Sequence, residues 1–147
     1  FIEACMELGG LLGNWEPVHI DALKRYGHAL GMGFQITDDI LDYPEAPEST
    51  GKPVGNDLKE GLLTYPLLSI VTEDNAKQLE ADVRALQDGG DEQAIIDYVV
   101  AQGGLDNTLA LEAKYRQDAM DALAELPDFV GKEILYKVVE GLAARKA

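Results

Sequence analysis

Three aspartates, Asp38, Asp39 and Asp42, fall inside the apolar string Gly33-Phe-Gln-Ile-Thr-Asp-Asp-Ile-Leu-Asp42, and a lysine, Lys52, follows in Gly51-Lys-Pro-Val-Gly-Asn-Asp57. Ionised aspartate rarely sits among apolar neighbours without a partner, so this grouping needs a physical reason. On a helix, Gln35, Asp38 or Asp39, and Asp42 fall on one stripe, because side chains three, four and seven apart share a face. Like charges at 38 and 42 repel, and a divalent cation removes that penalty. Magnesium keeps several waters and is held by one or two carboxylates together with substrate phosphates. The stripe therefore suits a magnesium–diphosphate, with Lys52 and Asp57 arriving on the loop that follows and Phe34 and Ile40 supplying apolar surface. The same spacing also fits a solvated acidic helix face, and spacing alone leaves both readings open.

The elements that must position these residues read as helices. Phe1 to Leu12 is a helix end stopped by Gly9, Gly10 and Gly13. Pro17 suits the first turn of the next helix, about Val18 to Tyr43, where Leu23, Tyr26, Leu30, Phe34 and Leu41 mark one buried face. Gly27, Gly31 and Gly33 each weaken an exposed helix by about 1 kcal/mol relative to Ala, so their clustering predicts either a close neighbour or room for a ligand. Pro44 and Pro47 end the helix. Thr64-Tyr-Pro66 predicts a helix start, with Leu67 to Val71 as a buried helix. Asp74 to Leu86 is amphipathic through Leu79, Val83 and Leu86. Asp91 is placed to cap Glu92 to Ala101. Leu105 to Leu126 and Phe129 to about Ala144 complete an all-α chain with no internal repeat.

Composition narrows the function classes. The 147 residues are 46% apolar and carry 27 acidic against 12 basic residues, a net charge of −15. That balance argues against nucleic acid as a partner, which requires a basic surface. The sequence holds one cysteine, Cys5, expected to be buried in packing; a single thiol excludes an internal disulfide and suits a reducing cytoplasm. No apolar run of transmembrane length and no signal peptide is evident.

The strings Phe34-Gln-Ile-Thr-Asp-Asp-Ile-Leu-Asp42, Gly51-Lys-Pro-Val-Gly-Asn-Asp-Leu-Lys-Glu-Gly61 and Thr64-Tyr-Pro-Leu-Leu68 together resemble the second aspartate-rich motif of the trans-isoprenyl diphosphate synthases, or polyprenyl synthetases. Order, spacing and the trailing Thr-x-Pro-Leu all agree, strongly over residues 1–72 and less so beyond. The resemblance implies the isoprenoid synthase fold, an antiparallel helical bundle around a cavity. It implies a magnesium-dependent prenyltransferase: loss of diphosphate from an allylic substrate gives a cation, which the double bond of isopentenyl diphosphate attacks before a proton leaves. By the same resemblance Asp38 corresponds to the main magnesium ligand and Asp39 and Asp42 to supporting carboxylates. Gln35 and Lys52 correspond to diphosphate-binding residues, Asp57 to a carboxylate behind the ligands, and Phe34 to the pocket wall.

Two departures from the family pattern stand out. Leu62 occupies a place where the family often has a second lysine, and the first aspartate-rich motif is not among these residues. The chain also opens in mid-pattern at Phe1. The expectation is a C-terminal half of a polyprenyl synthetase domain, lacking the N-terminal half and inactive alone. Its alternative is a non-catalytic helical subunit or dimerisation module of a heteromeric prenyl synthase. The family resemblance implies a homodimer or a heteromeric partner. His19 and His28 do not pair at metal-ligand spacing. Trp15 is expected at a helix–helix corner, Tyr65 in the core, and Glu112–Arg116 as an ordinary helix ion pair.

Overall fold

The computed structural model describes residues 1–43, 55–86 and 88–144, and among them every regular element is a helix. In order they are α1 (Ile2–Leu12), α2 (Pro17–Leu41), α3 (Asn56–Lys59), α4 (Tyr65–Leu68), α5 (Ala76–Leu86), α6 (Glu92–Ala101), α7 (Gly104–Ala124) and α8 (Lys132–Ala144). They group into two units, Phe1–Thr37 with Leu111–Ala147, and Asp38–Ala110.

In the first unit α1 and α2 form an antiparallel pair. Asn14, with φ 52°, makes the bend, a left-handed conformation that asparagine tolerates. A Cβ on Gly10 would fall 2.9 Å from Leu23, and one on Gly27 would fall 2.7 Å from the Cα of Glu3. Gly27 is therefore where two backbones approach too closely for any side chain, which decides between the two expectations for that glycine in favour of a close neighbour. Along α2 and α7 the partners run in opposite order: Arg25 grips Glu125 through both guanidinium nitrogens at 2.8 and 2.5 Å, while Gly33 lies near Tyr115. Helix α8 runs parallel to α2, since the Tyr26 hydroxyl donates to the Leu135 carbonyl at 3.2 Å and Leu142 faces Gly33. Leu23, Tyr26, Leu30, Leu123, Val139 and Leu142 are among the buried residues that this arrangement interleaves. Trp15 sits at the corner as expected, edge-on to Phe129 at 5.0 Å.

The second unit gathers Tyr43, Leu58, Leu67, Ile70, Leu79, Ile95, Ile96 and Val99 into its core. Helix α5 contributes Leu79, with Val83 and Leu86 packed against the cluster, so its predicted stripe holds. The Asp91 carboxylate accepts the Ala94 N–H at 3.2 Å and caps α6.

Several expectations are corrected. The buried face of α2 turns away after Leu30: Phe34 and Leu41 are 41% and 42% exposed, whereas Ile36, Thr37 and Ile40 are buried. Thr37 is tolerated there because its hydroxyl donates to the Gly33 carbonyl at 2.8 Å within its own helix. The helix after Thr64 is a single turn, and Leu68 and Val71 are exposed. Tyr65 is half-buried. The last helix starts at Lys132, three residues late, because Gly131 takes φ 104° and interrupts the helical path. Cys5 is exposed, on the outer side of α1. The expected Glu112–Arg116 pair is present, with the Glu112 Oε1 at 3.4 Å from the Arg116 Nε, and its acid is buried, 1% exposed.

Candidate functional site

Asp38 and Asp39, in the last turn of α2, open the second unit, to which Asp42 and Asp57 also belong. Phe34 and Gln35 lie one turn earlier on the same helix, both exposed. Asp38 is half-buried, Asp39 is 7% exposed, and Asp42 stands half-buried in the turn that follows Leu41. The helix closes with the Tyr43 N–H donating to the Ile40 carbonyl at 3.0 Å.

Within the second unit these aspartates hold the returning chain. The Asp42 Oδ2 accepts the Asp57 N–H at 3.1 Å, and the Asp42 carbonyl accepts the Gly55 N–H at 3.1 Å. The Asp39 Oδ2 accepts the Tyr65 N–H at 3.2 Å. Asp57, in the first turn of α3, is thereby drawn to the aspartate-rich end of α2. Burial pushes its carboxyl above the usual range, and the charges of Asp39, Glu60 and Asp38 push it further. The structure thus brings Asp38, Asp39, Asp42 and Asp57 into one region of concentrated negative charge, to which Glu60 also contributes. Glu60 was not singled out from the sequence, although its position three residues after Asp57, in the turn that follows α3, was a usable signal.

Tyr43 is a second residue that the sequence did not single out. It is 3% exposed, and burial pushes its phenol up to about 12, with Asp42, Asp39 and Asp57 adding to the shift. Neither its hydroxyl nor the buried Thr64 hydroxyl beside it makes a hydrogen bond of ordinary geometry among the described residues. Lys52 lies outside the described residues. Lys59 is engaged elsewhere, paired with Glu92 at 2.8 Å. Leu62, in the place where the family pattern often has a second lysine, presents a 52% exposed apolar side chain.

Among the described residues no three His, Cys, Asp or Glu side chains close into a ready-made metal cage. The donor chemistry nevertheless fits a hard cation. The groups are all carboxylates, their charges oppose one another, and magnesium is characteristically completed by water and phosphate oxygens. None of the described helices is long and apolar enough to cross a membrane.

Known proteins resemble this chain in sequence and in fold. The chain is 36% identical over 127 residues to heptaprenyl diphosphate synthase component 2 of Geobacillus stearothermophilus, a match covering 86% of this chain and 39% of that protein. Its fold superposes on a decaprenyl diphosphate synthase from Rhodobacter capsulatus with a TM-score of 0.81 at 29% identity, over 98% of this chain and 46% of the other. A polyprenyl synthase from Caulobacter crescentus, complexed with calcium and isoprenyl diphosphate, superposes with a TM-score of 0.77 at 32% identity, over 99% and 46%. The chain thus spans less than half the length of each of these relatives. Residues 1–102 match polyprenyl synthetase throughout, and with the aspartate-bearing end of α2 inside that stretch the chain belongs to the polyprenyl synthetase family.

Proposed function

We propose that this chain carries the second aspartate-rich half of a magnesium–diphosphate clamp, and that the whole protein is a cytoplasmic trans-isoprenyl diphosphate synthase joining isopentenyl diphosphate to an allylic diphosphate. The observation that carries the reading is the gathering of Asp38, Asp39, Asp42 and Asp57 at the end of α2, where burial, and after it the charges of Asp39, Glu60 and Asp38, raise the Asp57 carboxyl above its ordinary range. Asp38 is the main metal ligand, with Asp39 and Asp42 in support. Gln35 and Lys52 bind diphosphate oxygens, Asp57 stands behind the ligands, and Phe34 offers an apolar wall to the prenyl chain. Bound magnesium supplies neutralisation of the charge that grows on the departing diphosphate. The aspartates place the diphosphate, and Lys52 adds a point charge toward its oxygens.

The reading extends to the chain as the C-terminal half of its domain, giving diphosphate binding without turnover when assayed alone. The test is a calorimetric titration of the chain with inorganic diphosphate, with and without magnesium. Magnesium-dependent binding that weakens about tenfold or more in Asp38→Ala is expected. Absence of magnesium-dependent binding in the unaltered chain overturns the reading. Prenyl transfer by the chain alone, given both diphosphates and magnesium, overturns the half-site part of it.

The Geobacillus relative, a component of a heptaprenyl synthase by name, supports a second reading: a helical subunit that works only beside a partner chain. Diphosphate titration separates the two, since a subunit that keeps the stripe as a relic binds no magnesium–diphosphate.

A further inference from the structure

The carboxylates at the end of α2 have a duty that needs no ligand. The amides that their side chains accept stand at the starts of two helices. Asp57 is the second residue of α3 and Tyr65 the first residue of α4. The first N–H groups of a helix have no partner inside it and must be satisfied from elsewhere. Thr64, the residue before α4, gives no side-chain cap bond. Helices α3 and α4 are four residues each, far below the length at which a helix sustains itself. Two things fix them in place: burial of Leu58 and Leu67, 1% and 2% exposed, and the oxygens of Asp42 and Asp39.

We infer that Asp39 and Asp42 are positioning residues, whose side-chain oxygens clasp the starts of α4 and α3 to the end of α2 before any metal or diphosphate arrives. The inference rests on the proposed function, because it gives the same carboxylates a second task beside ligation. It separates the two tasks chemically. The side-chain carbonyl of asparagine can accept a backbone N–H as a carboxylate does, so Asn preserves the clasp. Asn brings no negative charge, so it is a poor ligand for a hard divalent cation. Alanine removes both.

The test is amide hydrogen exchange at Asp57 and Tyr65 in the metal-free 147-residue chain, read by NMR beside the magnesium–diphosphate titration. Asp42→Ala is expected to speed exchange of the Asp57 amide about tenfold, and Asp39→Ala that of the Tyr65 amide, by opening the local structure that protects them. Asp42→Asn and Asp39→Asn are expected to restore protection without restoring diphosphate affinity. Unchanged protection in both Ala variants overturns the clasp, whatever the titration shows. Should an Ala variant unfold, its Asn counterpart decides: a folded Asn variant with a fast Asp57 or Tyr65 amide overturns it. Normal clasp behaviour in a chain that binds no magnesium–diphosphate overturns the proposed function alone and leaves the clasp standing.

Discussion

Tyr26 and Tyr43 are both buried tyrosines on the path of α2, yet they report two ways of holding a protein together. Tyr26 sits in the first unit, where long helices interdigitate and its hydroxyl finds the Leu135 carbonyl. Tyr43 sits in the second unit, where α3 and α4 are single turns and its hydroxyl finds no ordinary partner among the described residues. Polar satisfaction in the second unit goes to the backbone amides of Gly55, Asp57 and Tyr65. The lesson is that the unit with the clustered aspartates adds a few polar tethers to its apolar core, and the other is held chiefly by the packing of long helices.

The comparison is most exposed to core truncation. Leu123, fully buried among long helices, and Ile96, 2% exposed, are matched targets. Replacement by Ala costs about 2–5 kcal/mol in such sites, depending on how far the surroundings collapse. Leu123→Ala is expected near the top of that range and Ile96→Ala near the bottom, because short helices re-pack more readily. Urea denaturation of the two variants provides the measurement, and equal costs would break the distinction.

Gly27→Ala gives a smaller effect. The added Cβ meets the Glu3 backbone at 2.7 Å, which cannot swing aside as a side-chain tip does. Overpacking costs about 1–3 kcal/mol and the better helix propensity of Ala returns up to about 1. A net lowering of the melting temperature is expected, and a melting temperature equal to or above that of the parent chain removes the close-approach argument.

The smallest effect sharpens the contrast between the tyrosines. Tyr26→Phe is expected to lose about 1 kcal/mol at neutral pH, the worth of one hydrogen bond. Tyr43→Phe is expected to be neutral or stabilising, since it removes a buried hydroxyl without an ordinary partner. Burial raises both phenols to about 12 from the ordinary 10.0. Below the ordinary value both tyrosines are neutral in the folded and the unfolded chain, and the stabilisation is fully present. As pH rises from 10 through 12 the unfolded chain gives up its protons first, so stability falls across that window. Each Phe variant should flatten its own part of the alkaline unfolding curve; a curve unchanged in both variants would mean that neither phenol is held neutral by the fold.

Much of the architecture was legible because glycine and proline mark its joints. Pro17 opens α2, Gly103 precedes α7 and Gly104 begins it, and Asp91 caps α6 as its position before an apolar helix suggests. The aspartate stripe was legible too, because carboxylates in an apolar string stand out in any reading. What stayed hidden were positions where polarity and burial disagree. Thr37 and Thr108 are fully buried because each hydroxyl bonds the carbonyl four residues back, an internal accommodation that leaves no mark on an apolar–polar pattern. Glu112 is buried although its sequence context matches an exposed ion pair. The tethering of Asp39 and Asp42 was equally invisible, since its partners are backbone amides, and every residue but proline offers one.

Cys5 has a practical consequence. It is the sole thiol of the sequence and it is exposed on α1. Any disulfide that forms within a preparation of this chain must therefore join two molecules, so oligomer measurements need a reductant to be meaningful. The same side chain accepts a single maleimide dye at one defined position, giving a stoichiometric fluorescent reporter on the first unit without engineering an attachment point.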